Sequence, residues 1–246
     1  MNYLDLFSGI GGFALAAKRT WGNDLNIVGF CEIEPYAQKV LEKNFPRVPI
    51  YKDIKELDGN KFKNIDIITG GFPCQDISIA GYGVGITGER SGLWSEMFRI
   101  ISEARPKFAI IENVSAITFR GGTRVISDLA EIGYTTEWQT ISAAYVGALH
   151  RRNRMWFVSY PSDSRSEYSK HGESTEDIKQ REMVRECKGS VFSNKGDFRE
   201  KIRTTDFVRR SNGIPNRVAR IKGLGNAIVP QVAEIIMERI KNLKGE

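Results

Sequence analysis

The sequence predicts an α/β protein built on a parallel sheet, and three observations carry that expectation. Short apolar runs bounded by turn residues alternate with longer stretches whose apolar residues recur every three or four positions. A glycine-rich turn closes the first apolar run, where folds of this class place a nucleotide-like ligand. Nothing in the 246 residues suggests a repeat array, and no stretch is apolar for long enough to suggest a membrane span.

The strand candidates are Tyr3–Phe7, Asn26–Phe30, Ile65–Thr69 and Phe108–Glu112, with Arg154–Ser159 as a later, buried strand. Between them Phe13–Thr20, Pro35–Asn44 and Leu93–Glu103 have the spacing of crossover helices. From Pro161 to about Pro215 the texture changes: Ser, Glu, Lys and Arg dominate and no periodicity persists. This is a separate module or a long insertion, and its plainest alternative is a partly disordered surface loop. Ile228–Leu243 returns to an amphipathic helix with Val232, Ile235, Ile236 and Ile240 on one face, so the main domain resumes near its end.

Composition narrows the class. A net charge of +6 and a pI near 9.2 are compatible with a polyanionic partner without requiring one. Three scattered cysteines, Cys31, Cys74 and Cys187, are too few for a disulfide framework or a closed zinc site, so a reducing, intracellular setting is expected and no metal is. The start Met1-Asn2-Tyr3-Leu4-Asp5 lacks a basic, apolar leader, and the chain is expected to be soluble and unprocessed.

Phe7-Ser-Gly-Ile-Gly-Gly-Phe13 follows the first strand, where glycines allow close backbone approach and a helix N-terminus offers positive potential. Glu32 lies 21 residues past Gly11, at the end of the second strand, where a carboxylate can accept hydrogen bonds from two ribose hydroxyls. Asp53 stands after the next apolar patch, in reach of an adenine edge; either acid alone would read as an ordinary solvated carboxylate. Gly70-Gly-Phe-Pro-Cys-Gln75 places a thiol at the carboxyl edge of the sheet. A lone Cys is more often a small buried hydrophobe, but the rigid Gly/Pro loop and the polar Gln75-Asp76 favour a nucleophile here. Glu112-Asn-Val114 ends another strand on the same edge, and a carboxyl beside a thiolate suits covalent catalysis on a pyrimidine. His150-Arg-Arg-Asn-Arg154 is a basic cluster that is either a solvated turn or a set of arginines aimed at a base edge or phosphates. The glycine-dense Gly81–Arg90 is a slack loop or a lid.

Taken in this order, the segments resemble the DNA (cytosine-5) methyltransferase family of bacteria and phages. Asp5–Phe13 is similar to the first family motif, Gly71–Gln75 to the nucleophile motif, Glu112–Val114 to the base-contacting acid, Arg152 and Arg154 to the paired arginines, and Gly223–Pro230 to the final motif. The resemblance covers roughly residues 1–160 and 212–246. It implies a doubly wound, mostly parallel, Rossmann-like sheet in a catalytic domain of residues 1–160 and 214–246, with a small target-recognition module inserted at 161–213. It implies S-adenosylmethionine as cofactor, held by Phe7, Gly9, Gly11, Gly12, Glu32, Ile33, Asp53, Ile54, Pro73, Asn226 and Ala227. Catalysis is then carried by Cys74, Glu112, Arg152 and Arg154, and DNA contact by Gln75, Ser78 and Arg90. The implied partners are double-stranded DNA and, in a restriction–modification pair, a cognate restriction endonuclease; a cytoplasmic monomer in a bacterial cell or phage-infected host is expected.

Two departures stand out. His150 occupies a place where the family usually has Gln, and Asn153 one where an acid is frequent; neither replaces a catalytic group. The recognition module, about 50 residues, is short, which implies few contacts, a short target or a helper. Three other readings stay in play. A structured-RNA methylase of the same family lacks support because no Cys-Phe-Thr segment precedes the last motif. A silent DNA-binding homologue sits poorly with intact Cys74, Glu112 and Asn226. A nicotinamide oxidoreductase would leave the thiol loop without purpose.

Overall fold

A computed structural model describes residues 1–73, 92–148, 150–164 and 217–243. Seven strands, β1 (Asn2–Leu6), β2 (Asn26–Cys31), β3 (Ile50–Tyr51), β4 (Ile67–Gly70), β5 (Phe108–Val114), β6 (Tyr134–Ser142) and β7 (Asn153–Pro161), form one sheet. Their order is β3-β2-β1-β4-β5-β7-β6. The first five run parallel, and β7 lies antiparallel between β5 and β6. The expected doubly wound, mostly parallel sheet is what is found. Strand order reverses beside β1, which has β2 on one side and β4 on the other, so a crevice opens at the carboxyl ends of β1 and β4.

The sheet is covered on both faces, as parallel strands buried on both sides require. On one face α1 (Gly12–Trp21) and the last helix, α7 (Pro230–Leu243), pack Phe13, Ala17, Trp21, Val232 and Met237 against Tyr3, Ile67, Phe108 and Ile110. Alanines 14, 16 and 17 keep α1 slim enough for α7 to lie close beside it. The other face takes α3 (Gly92–Ala104) and α5 (Gly122–Glu131), which follows the single turn α4 (Ile117–Arg120). Trp94, Met97, Ile101 and Ala104 recur every three or four residues in α3 and meet Leu4, Leu6, Ile68 and Ile111. The helix α2 (Pro35–Asn44) follows β2, with Pro35 in its first turn where a missing N–H costs nothing.

Several features differ from the sequence expectation, among them the short strand β3 and the helices α4 and α5, which were not anticipated. The edge strand β6 was not foreseen: its middle residues Glu137–Thr140 are exposed, so it lacks an apolar signature. The helix α6 (Arg217–Asn226) was also missed, because Gly223 and Gly225 lower its propensity. In α7 the buried stripe is Val232, Ala233, Met237 and Ile240, while Ile235 is exposed. At about 100° per residue Ile235 falls on the far side of that stripe. Among the described residues no helix is long and apolar enough to cross a membrane.

Candidate active site

The turn after β1 is forced into an unusual path. Phe7 has φ +52° and is followed by Gly9 at +53° and Gly11 at +86°. For a residue with a Cβ this left-handed region costs about 1–2 kcal/mol, and for glycine almost nothing. Phe7 is held there because Ser8 is pinned on both sides: its N–H donates to the Cys31 carbonyl at 3.1 Å and its hydroxyl to the Asp5 carbonyl at 2.7 Å. A Cβ on Gly12 would stand 2.8 Å from Ile228 Cγ1, so Ile228, two residues before α7, packs directly on the start of α1. No side chain caps α1, which leaves the positive end of its dipole facing the crevice.

Glu32 closes the same cradle from β2. Its Oε2 accepts from Gly9 N at 2.6 Å and its Oε1 from Glu34 N at 2.8 Å, so the carboxylate is fixed by two backbone N–H groups from different loops. Ile33, next along, is an apolar side chain that is 68% exposed. Asp53 accepts from Lys55 N at 2.9 Å and caps a single helical turn. Ile54 is placed differently from a ligand-facing residue: its side chain lies in the core and its carbonyl accepts from Arg99 Nη2, so it anchors the turn carrying Asp53.

On the other flank of the crevice, Glu112 on β5 is only 7% exposed. Arg154 on β7 sets its Nε 2.9 Å from Glu112 Oε1, an ion pair whose angle falls short of an aligned hydrogen bond. Burial pushes the Glu112 carboxyl up to about 7 against the opposing pull of Arg154 and Arg152. The loop leaving β4 passes directly over it: a Cβ on Gly71 would lie 3.1 Å from Glu112 Oε2. That loop is anchored by Asn113 Nδ2, which donates to the Phe72 carbonyl at 3.0 Å, and by the Phe72 ring packed 5.3 Å from Trp94. Pro73, exposed, is the last described residue of the loop. Trp156, opposite Glu112 in the strand register, stands edge-on to Phe13 at 5.7 Å and so ties this flank to α1.

The structure therefore brings together Phe7, Gly9, Gly11, Gly12 and Glu32 on one side and Gly71, Phe72, Glu112 and Arg154 on the other. Asn226 ends α6 and is exposed, and Ala227 N donates to the Gly223 carbonyl at 3.0 Å. Arg152 reaches across to this end of α6, its Nη1 2.8 Å from the Gly225 carbonyl. Cys74, Gln75, Ser78, Arg90 and nearly all of the inserted segment lie outside the described residues. Two participants were not singled out from sequence. Asn113 is one; Asp5 is the other. Asp5 is fully buried, its Oδ1 accepts from Thr69 Oγ1 at 2.7 Å, Tyr3 Oη lies 2.6 Å from that same hydroxyl, and Oδ2 has no hydrogen-bond partner among the described residues. Burial, with the nearby charge of Glu32 adding to it, raises the Asp5 carboxyl to about 8. An acid inside the apolar run Tyr3-Leu-Asp-Leu was the available signal.

Known proteins resemble this chain in sequence and in fold. The profile of the C-5 cytosine-specific DNA methylase family matches residues 1–218. The type II methyltransferase M2.BsuMI of Bacillus subtilis is 39% identical over 163 residues, which is 63% of this chain and 41% of that protein. M1.ScrFI of Lactococcus lactis is 30% identical over 235 residues, 94% of this chain and 58% of that one. The chain thus spans between two-fifths and three-fifths of the length of these curated relatives. Among solved structures, a Spodoptera frugiperda DNMT2 mutant superposes with a TM-score of 0.56 at 24% identity, over 66% of this chain and 50% of the other, a likeness of fold. With the family profile spanning most of its length, the chain belongs to the C-5 cytosine-specific DNA methylases.

Proposed function

We propose that this chain transfers a methyl group from S-adenosylmethionine to carbon 5 of a cytosine flipped out of double-stranded DNA, through a covalent adduct on Cys74. The observation that carries the reading is Glu112: a buried carboxyl raised to about 7, held by Arg154, and overlain by the loop that runs into Cys74. Cytosine's carbon 5 is a poor nucleophile until a thiolate adds to carbon 6, and an acid at ring nitrogen 3 makes that addition easier. A carboxyl that keeps its proton near neutrality can donate there, and Arg154 beside it can hold the base edge.

The residues of the β1 crevice fit the cofactor. The Glu32 carboxylate sits at the end of β2 for a ribose, the uncapped N-terminus of α1 suits a carboxylate, and exposed Ile33 offers a surface for a flat ring. Bound there, S-adenosylmethionine supplies an electrophilic methyl group on a sulfonium. The protein's own part is as follows. Cys74 thiolate bonds to carbon 6, Glu112 places its proton at nitrogen 3, and the electron pair becomes available at carbon 5. Once carbon 5 carries the methyl, its proton passes to solvent water, the thiolate is eliminated from carbon 6, and nitrogen 3 returns its proton to Glu112, which restores both Cys74 and the acid. Extruding the base costs a few kcal/mol of stacking and pairing, which contacts to the flipped base must offset.

The reading entails a catalytic unit of residues 1–160 and 214–246, a target-recognition module at 161–213, and action as a monomer in the cytoplasm of a bacterial cell or phage-infected host, with or without a cognate endonuclease. The deciding experiment is methyl transfer from labelled S-adenosylmethionine to mixed-sequence duplex DNA, with base-resolution mapping and Cys74→Ser alongside. Label at cytosine carbon 5 that disappears in Cys74→Ser is expected. Cofactor binding without label on DNA in wild type would turn attention to transfer RNA as substrate.

A further inference from the structure

Arg152 makes a contact that a base-facing arginine does not need. It precedes β7, and its Nη1 crosses 73 positions of sequence to donate to the Gly225 carbonyl at 2.8 Å. Gly225 lies in the last turn of α6, where carbonyls lack helical partners and the dipole is negative. The guanidinium is partly buried, its Nε has no hydrogen-bond partner among the described residues, and its charge acts on Glu112. One side chain therefore touches the helix end that contains Asn226 and acts electrostatically on the acid of the opposite flank. We propose that Arg152 is a positioning residue that ties the end of α6 to the β5–β7 edge, so that the cofactor side and the base side of the site are built as one unit.

The proposal rests on the methyl-transfer reading and makes two separable demands. The tie requires a fork long enough to reach Gly225, and the influence on Glu112 requires only positive charge. Among the described residues the charged groups acting on Glu112 are Arg154 and Arg152, and the Gly71 backbone covers it from β4. Removing the Arg152 charge raises the Glu112 carboxyl further, so the acid form persists to higher pH.

Arg152→Lys and Arg152→Gln separate the demands, read by calorimetric binding of S-adenosylmethionine and by the pH dependence of the methyl-transfer rate, with thermal unfolding as the folding check. Both variants are expected to lose cofactor affinity by about ten-fold, the size of a charge-assisted hydrogen bond. Only Arg152→Gln is expected to move the alkaline limb of the rate profile upward; a merely structural arginine would lower the folding midpoint and leave that limb in place. Wild-type affinity in Arg152→Lys, or an unmoved limb in a folded Arg152→Gln, overturns the proposal while leaving the methyl-transfer reading intact. Wild type that neither binds the cofactor nor labels DNA overturns both. If Arg152→Gln fails to fold, the cofactor affinity of Arg152→Lys decides alone.

Discussion

Glu112 sits between two opposed influences: burial favours its neutral form, and two arginines favour its charged one. Burial wins by enough to bring it to about 7, so the proton is present below that pH and is lost above it. If the protonated form is the working one, the methyl-transfer rate declines about ten-fold per pH unit on the alkaline side of neutrality. Glu112→Gln keeps a donor but cannot follow the base's change in charge, and a loss of about 10²–10⁴-fold in rate is expected, together with disappearance of that limb. Steady-state kinetics between pH 6 and 9 would show it; a limb that survives in the Gln variant belongs to another group. Asp5 makes a different kind of statement. Its folded carboxyl at about 8 lies above its unfolded value near 3.8, so the folded state holds the proton more tightly. The stability this gives is complete below pH of about 4 and is lost as pH rises toward about 8. Asp5→Asn retains an oxygen for Thr69 and has nothing to ionise. Urea unfolding at pH 5.5, 7 and 8.5 should find the variant's advantage growing with pH, and an equal slope in both proteins would refute the assignment.

The β1–α1 turn shows what a short element asks of each position. Gly11 combines φ +86° with neighbours that leave no room, since a Cβ there would stand 2.8 Å from the Phe45 ring and 3.1 Å from Leu41. Gly11→Ala is expected to cost about 2 kcal/mol in chemical denaturation, mostly from the left-handed backbone, and to weaken cofactor binding more than it weakens the fold. Calorimetry and denaturation on the same variant test both parts. This turn was legible in sequence because its glycines are needed for local reasons and keep their spacing. So were the parallel strands β1, β2, β4 and β5 and the helix α3, whose apolar periods match their burial. Strand β6 and the bond from Arg152 to Gly225 were not. The first has four exposed residues in a row, and the second joins positions 73 apart that only the packing of α6 brings together. Asp5 was half legible, since the misfit of an acid in an apolar strand can be seen without its partners Thr69 and Tyr3 being predictable.

At the scale of the whole molecule, one face of the sheet is assembled from both ends of the chain. Helix α1 comes from the start and α7 from the far side of the inserted segment, and together they bury Tyr3, Phe13, Phe108, Trp156 and Met237. Removing residues from Pro230 onward uncovers that face and takes Ile228's neighbours away from Gly12. Such a chain should lose cooperative unfolding and bind a hydrophobic dye, with no residual methyl transfer. Met237→Ala, a smaller injury at the same place, should cost about 2–5 kcal/mol, and equal stability would mean α7 is not integral to the core.

This arrangement also sets the timing of synthesis. A ribosome adding roughly 5–20 residues per second finishes α1 about 10–40 seconds before it reaches α7. During that interval the glycine turn and Glu32 already exist, yet the floor beneath them is open to water and the helix that docks beside α1 has not been made. Until then the apolar residues of α1 and of this face of the sheet lack the cover that Val232, Met237 and Ile240 provide. That face of the sheet is closed only when α7 arrives.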